Sequence, residues 1–192
     1  MSTQHPDNAA APRYAVDGVI KGEAEILEAV ELFELGCDEQ MWDSEGKDAD
    51  THVVQKLLSN HPALFRDRLV LGKDCIITLR IPNPAIELEM RKLLVEALQG
   101  IPTAWDVAHG FYGQDAQAPI QEVILPFTTS AEELELIAAY YERFVVGQEN
   151  TPLAQGRTVK DWIGEFNPKQ VRVIPLIEDL EHLLQADRIV GD

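Results

Sequence analysis

The chain has 192 residues, of which 45% are apolar and 26% are charged, so it is long enough to bury one core and has neither a fibrous nor a disordered composition. Asp and Glu total 33 against 16 Lys and Arg, and the formal net charge of −17 repels a phosphate backbone. We therefore expect no nucleic-acid partner, and the absence of a long uncharged apolar stretch predicts no membrane contact.

Two further features indicate a cytoplasmic protein with a single domain over residues 1–192. Cys37 and Cys75 lack the CxxC and CxxH spacings of redox pairs and zinc half-sites, which fits a reducing compartment. The polar, Ala-rich segment 1–20 lacks the apolar core of a secretory signal and the Arg-rich pattern of a transit peptide.

The first part of the chain is predicted to form two helices separated by a loop. Apolar residues at helical spacing predict a helix over 23–35, which Gly36 ends. The charged segment 37–50 is predicted as a loop with one buried aromatic residue, Trp42. A second, shorter helix is predicted over 51–59.

Three apolar segments rich in Ile, Val and Leu are predicted as strands: CIITLRI at 75–81, EVILPF at 122–127 and VRVIPLI at 171–177. A helical pattern follows each of them, and the second such helix begins with a capping box made by Ser130 and Glu133. Apolar strands that alternate with helices are typical of a parallel sheet in an α/β fold.

The number of strand-helix units limits the choice of architecture. A shorter apolar segment at 101–107 is a candidate for a further strand, which makes three or four units in all. A closed (β/α)8 barrel needs eight units and typically about 250 residues. The chain is therefore predicted to form either a small open α/β sheet or a partial (β/α)8 TIM-type barrel.

Glu178 and Asp179 follow the third predicted strand directly. Functional side chains gather at the carboxyl ends of strands in α/β folds, and a carboxylate there suits a hard divalent cation. An acidic pair that opens a helix is equally explained by N-capping and by the helix dipole. Both interpretations stay open on the residues alone.

Arg80, Lys47 and His5 are the other candidates for a functional role. Arg80 lies in an otherwise apolar strand, so it either binds a phosphate or carboxylate group or forms a structural ion pair. Lys47 either adds positive charge to a pocket or is solvated. His5 is an acid or base with a pKa near neutrality, or it belongs to a loose tail.

Five segments, in their order and spacing, resemble archaeal-type phosphoenolpyruvate carboxylases. They are STQHPDN at 2–8, MWDSEGK at 41–47, LRIPNP at 79–84, EVILPFTTSAEEL at 122–134 and VIPLIEDLEHLL at 173–184. Members of that family are much longer, so the resemblance implies that this chain represents the first part of the family's barrel.

The resemblance assigns roles to the candidate residues. His5 would match the essential histidine of the HP motif, which assists formation and capture of the carboxylating intermediate. Arg80 would help to hold the substrate phosphate, with Lys47 as a second substrate-binding residue. Glu178 would be a ligand of the essential Mg²⁺ or Mn²⁺ ion. Family members usually form homo-oligomers, which we also expect here.

The implied reaction joins phosphoenolpyruvate and bicarbonate to give oxaloacetate and phosphate. The family's second metal-binding aspartate, its glycine-rich loop and its further arginines lie C-terminal to the matched region, so we expect the 192-residue chain alone to be inactive. The alternatives are a non-catalytic truncated fragment, a subunit completed by a partner chain, and another barrel enzyme that acts on phosphoenolpyruvate or pyruvate.

Overall fold

The computed structural model describes residues 12, 14, 20, 22–44 and 52–191. Within these residues, four parallel strands form one sheet, and their order across the sheet is their order along the chain. The strands are β1 (Glu39–Asp43), β2 (Ile76–Arg80), β3 (Ile120–Leu125) and β4 (Arg172–Pro175). Since all four run in the same direction, their carboxyl ends lie along one edge of the sheet.

Helices connect the strands. They are α1 (Glu23–Glu34), α2 (Val53–Asn60), α3 (Pro62–Asp67), α4 (Arg91–Tyr112), α5 (Ala131–Tyr140), α6 (Val159–Ile163), α7 (Leu180–Leu183) and α8 (Ala186–Val190). A π-helical segment, Tyr141–Val146, continues α5, and short 3₁₀ turns lie at Leu88–Met90, Gly113–Asp115, Gly147–Asn150 and Ala154–Gly156. None of the described helices is both long and apolar enough to cross a membrane.

The core lies between one face of the sheet and the helices. α1 packs against β1, α4 against β3 and α5 against β4. Alternate strand residues, among them Ile77, Leu79, Val123 and Leu125, are buried against these helices. The opposite face, which we call the inner face, carries Thr78, Arg80 and Glu122.

Most of the predicted elements are present, and the α/β class with a parallel sheet is confirmed. α1 begins at Glu23, as predicted; β2 and β4 are slightly shorter than the predicted strands, and β3 begins and ends two residues earlier than predicted. The capping box of α5 also forms, because the Glu133 carboxylate accepts the backbone N–H groups of Thr129 and Ser130 at 2.7 and 3.1 Å. The spacing of apolar residues and the capping residues were sufficient to predict these elements.

The prediction of a loop over 37–50 was wrong for Glu39–Asp43, which forms β1 and pairs along its length with β2. Residues 45–50 of the predicted loop lie outside the described residues. Gln40 and Trp42 point towards the helices and are buried, which confirms the buried aromatic residue. Glu39 and Asp43 lie on the inner face, where they bind Thr78 and Arg80 of β2. The strand therefore lacks the apolar composition by which the other strands were predicted.

The segment 101–107 is not a strand but part of α4. Its apolar residues continue a helical spacing that begins upstream, with buried side chains at Leu94, Ala97, Leu98, Ile101, Ala104 and Ala108. A period of 3.6 residues over the whole of α4 places all of them on one face. A seven-residue window was too short to show that period.

Polar side chains form a layer on the inner face, towards the amino ends of the strands. The Thr78 hydroxyl donates to Glu39 Oε1 at 2.6 Å, and Arg172 Nη2 lies 2.7 Å from Glu122 Oε2. Burial, followed by a hydrogen bond shared with Glu39, raises the pKa of Glu122, and the Arg172 guanidinium opposes this without reversing it. The folded chain therefore favours the protonated Glu122 carboxyl.

Glu122→Gln is expected to change how stability depends on pH. The contribution of protonated Glu122 is present below its ordinary pKa of 4.5 and is lost as pH rises through the raised pKa. A pKa raised by one unit corresponds to about 1.4 kcal/mol. Gln keeps an acceptor for Arg172 and a donor for Glu39, so the variant should gain stability relative to the unsubstituted chain as pH increases, measured by urea unfolding.

The matched control for this experiment is Glu135→Gln on the exposed side of α5. It should show no pH-dependent difference from the unsubstituted chain. A stability difference for Glu122→Gln that stays constant from about pH 4 to pH 8 would contradict the assigned protonation.

Gly72, in the turn before β2, has a φ of +100°, and a Cβ there would lie 2.6 Å from the Gln117 carbonyl oxygen. Its N–H donates to the Cys75 carbonyl at 2.7 Å, and its own carbonyl accepts from Gln121 Nε2 at 2.7 Å. The turn therefore joins the start of β2 to the segment before β3 and leaves no room for a side chain.

Gly72→Ala should lower the free energy of unfolding by about 1–3 kcal/mol from backbone strain, with the steric clash in addition. Gly100→Ala is the control, since Gly100 lies inside α4 with nothing within 4 Å of an added Cβ. It should raise the free energy of unfolding by about 0.5–1 kcal/mol. Chemical denaturation measures both, and effects of the same sign would refute the steric explanation.

Candidate active site

Arg80, the last residue of β2, lies on the inner face between two carboxylates. Its Nη1 is 3.5 Å from Oδ1 of Asp43, its register partner on β1, and its Nη2 is 3.9 Å from Oε1 of Glu87. The Arg80 side chain is 17% exposed, so part of it remains accessible at the carboxyl end of the sheet. The structural ion pairing of Arg80 that the sequence suggested is therefore present.

Asn83 organises the loop that follows Arg80, and its side chain is fully buried. Its Nδ2 donates to the Pro126 carbonyl at 2.9 Å, and its Oδ1 accepts the Ala85 N–H at 2.9 Å. The Asn83 N–H in turn donates to Glu87 Oε2 at 2.7 Å. Sequence reasoning missed Asn83 and Glu87, although an Asn between two prolines was a signal of a constrained turn.

Glu178 lies beyond the last hydrogen bonds of β4. Leu176 N–H donates to Leu125 O at 2.9 Å, and Glu178 follows two residues later with an exposed side chain. No described residue forms a hydrogen bond or ion pair with its carboxylate. The structure therefore places Glu178 at the carboxyl end of β4 with an exposed side chain.

Asp179, unlike Glu178, caps the helix that follows it. Its Oδ1 accepts the His182 N–H at 2.9 Å, and its Oδ2 lies 2.6 Å from His182 Nδ1. These two contacts with His182 lower the pKa of Asp179. The helix-capping interpretation therefore holds for Asp179, the N-cap of α7.

Arg80 and Glu178 share one edge of the sheet, at the ends of two strands separated by β3. His5 and Lys47, the other predicted site residues, lie outside the described residues. Among residues 22–44 and 52–191, no group of three or more His, Cys, Asp and Glu side chains could hold a metal ion. Since Mg²⁺ prefers six oxygen ligands, Glu178 can supply one of them and the rest must come from elsewhere.

The charge around Arg80 limits what the site can bind. Asp43 and Glu87 place two negative charges beside one guanidinium. An anionic ligand at Arg80 therefore needs further positive charge, which a cation held at Glu178 would provide. The Glu178 carboxylate is a suitable ligand for such a cation.

A concave region lies at the opposite end of the strands. It has a volume of about 640 Å³, and its lining includes Trp105, Gln121 and Arg172. Gln121 and Arg172 belong to the first halves of β3 and β4, so this cavity is separate from the edge that carries Arg80 and Glu178.

Comparison with known proteins places the chain in a family. Residues 1–192 match the family model of phosphoenolpyruvate carboxylase. The whole chain is 53% identical, over 193 residues, to the phosphoenolpyruvate carboxylase of Methanothermobacter thermautotrophicus, and 50% identical, over 196 residues, to that of Halobacterium salinarum. A third such protein, from Pyrococcus abyssi, is 50% identical over 197 residues.

The matches cover 100% of this chain and 40% of each of these three relatives, so the chain spans about two fifths of their length. The resemblance carried by the five sequence segments is thereby confirmed. The chain belongs to the phosphoenolpyruvate carboxylase family.

Proposed function

We propose that this chain forms part of a Mg²⁺-dependent enzyme, with Mn²⁺ as the alternative ion, that carboxylates phosphoenolpyruvate with bicarbonate to give oxaloacetate and phosphate. The family match over residues 1–192 carries the proposal. The shared edge of Arg80 and Glu178 supports it, because a phosphate-binding group and a metal ligand have to act together in this reaction.

In the proposed reaction, a bicarbonate oxygen attacks the phosphorus of phosphoenolpyruvate, and the bond from phosphorus to the enol oxygen breaks. Carboxyphosphate and the enolate of pyruvate result. Carboxyphosphate then separates into carbon dioxide and phosphate, and the enolate carbon attacks carbon dioxide to form oxaloacetate. A bound divalent cation supplies electrostatic stabilisation of the enolate and phosphoryl oxygens.

The residues of this chain have distinct roles in the proposal. Arg80 donates to the phosphate oxygens, and the carboxylates of Asp43 and Glu87 keep its guanidinium in place. Glu178 holds the cation. His5 assists formation and capture of the carboxylating intermediate, and Lys47 adds positive charge near the substrate.

The sheet order supports a partial (β/α)8 barrel as the scaffold. Consecutive parallel strands are neighbours throughout β1 to β4, and α1, α4 and α5 pack on one face of the sheet. A doubly wound sheet would reverse the strand order and place helices on both faces. Homo-oligomeric assembly and a cytoplasmic location stay predictions that follow from the resemblance.

Two alternatives are also compatible with the comparison. The chain spans two fifths of its relatives, which is what a non-catalytic fragment or a subunit completed by a partner chain would also show. Both alternatives can be separated from the main proposal by supplying the missing part of a relative.

The test uses a hybrid in which residues 1–192 replace the matching region of the Methanothermobacter protein. We expect the hybrid to form oxaloacetate from phosphoenolpyruvate and bicarbonate only with Mg²⁺ or Mn²⁺, and the 192-residue chain alone to form none. Activity restored by mixing the chain with the rest of the relative would indicate a partner-completed subunit. An inactive, well-folded hybrid would contradict the proposal.

Variants of the hybrid test the residue roles. Arg80→Ala should lower kcat/KM by about 10²-fold or more through loss of a phosphate donor, whereas Arg143→Ala, exposed on the π-helical segment, should not.

Glu178→Gln should raise the Mg²⁺ concentration needed for activity, and Glu181→Gln, three residues away, should not. His5→Asn should abolish turnover and keep substrate binding.

A further inference from the structure

Asn83 lies at the centre of the hydrogen bonds that connect the segment of Arg80 to the segment of Glu178. We infer that Asn83 is a positioning residue that sets the distance between these two groups. This inference rests on the proposed function, because it concerns the spacing of the phosphate-binding and metal-binding side chains.

The first half of the connection runs from β2 to the end of β3. Asn83 follows Arg80 by three residues, and its Nδ2 donates to the carbonyls of Pro126 and Phe127 at 2.9 and 3.5 Å. Its backbone N–H binds Glu87 Oε2, and the other oxygen of Glu87 faces Arg80. Asn83 therefore touches both the support of Arg80 and the turn after β3.

The second half runs from that turn to Glu178. Thr128, which is 1% exposed, donates its N–H to Leu176 O at 3.0 Å and its hydroxyl to Leu125 O at 2.7 Å. Leu176 precedes Glu178 by two residues. The position of Glu178 consequently follows the position of the turn that Asn83 holds.

The backbone of Phe127 supports the same conclusion. Its φ of +53° lies in the left-handed region, which is unfavourable for a residue with a Cβ. Such a conformation persists only where the surroundings impose it, and Asn83 and Thr128 bind the backbone on either side. A conformation of this kind at the carboxyl ends of the strands is expected where geometry serves a site.

The experiment measures KM for phosphoenolpyruvate and the activation constant for Mg²⁺ in the hybrid enzyme. Asn83→Ala should raise both constants together, each about tenfold or more, because a displacement of ~1 Å in a site is worth up to ~10²-fold. Asn83→Asp keeps the acceptor for Ala85 and loses the donor to Pro126, so it should show the same joint change. An Asn83→Asp variant with unchanged constants would overturn the inference.

Gly72→Ala is the stability control, since it strains the opposite end of the sheet. It should lower stability and leave both constants per folded enzyme unchanged. If Asn83→Ala behaves like Gly72→Ala, or moves only one constant, the positioning role is refuted.

Thr128 provides a second test should the Asn83 variants fail to fold. Thr128→Val removes the hydroxyl bond to Leu125 and keeps the shape of the side chain, so both constants should rise, by less than in Asn83→Ala. Thr128→Ser restores the hydroxyl and should restore both constants; unchanged constants in Thr128→Val would count against the inference. Failure of the proposed function looks different: a well-folded hybrid without Asn83 or Thr128 substitutions would then form no oxaloacetate, whereas an active hybrid with unchanged constants in the Asn83 variants refutes only the positioning role.

Discussion

Parallel pairing of consecutive strands is the constraint on which the rest of the structure depends. Asp43 lies opposite Arg80, Arg80 opposite Ile124 and Ile124 opposite Ile174, so the four strands are in register near their carboxyl ends, beyond a shift between Ile77 and Leu79 of β2. This pairing places residues that are far apart in the chain at a common edge of the sheet. Arg80 and Glu178 are 98 positions apart, yet both follow the carboxyl end of a strand in this register.

The second constraint is charge. A chain with a net charge of −17 places Asp43 and Glu87 beside its inner-face arginine, so Arg80 alone offers little attraction to an anion. The two carboxylates instead orient the guanidinium, and they make the electrostatic potential around it more negative. A cation at Glu178 would reverse that potential, which explains why orientation and attraction fall to different residues in the proposed site.

Sequence patterns predicted the elements whose residues obey one simple period. β2, β3, β4 and α1 were found in this way, and the α5 cap was found from Ser130 and Glu133. β1 was missed because three of its five residues are polar, and the partners of two of them are distant in sequence: Glu39 binds Thr78, and Asp43 pairs with Arg80. Asn83 was missed for a related reason, since its partners are backbone carbonyls of another segment, which carry no sequence signal.

The carboxylates at the two ends of the strands differ in whether they have partners among the described residues. Towards the amino ends, the half-buried Glu39 accepts from the Thr78 hydroxyl, and the buried Glu122 is paired with the Arg172 guanidinium and has a raised pKa, so both carboxyls have partners within the chain. At the carboxyl ends, Glu178 is left without such a partner among the described residues. In the proposed site the Glu178 carboxylate and the Arg80 guanidinium lie at the same edge of the sheet, as the joint binding of a cation and an anion requires.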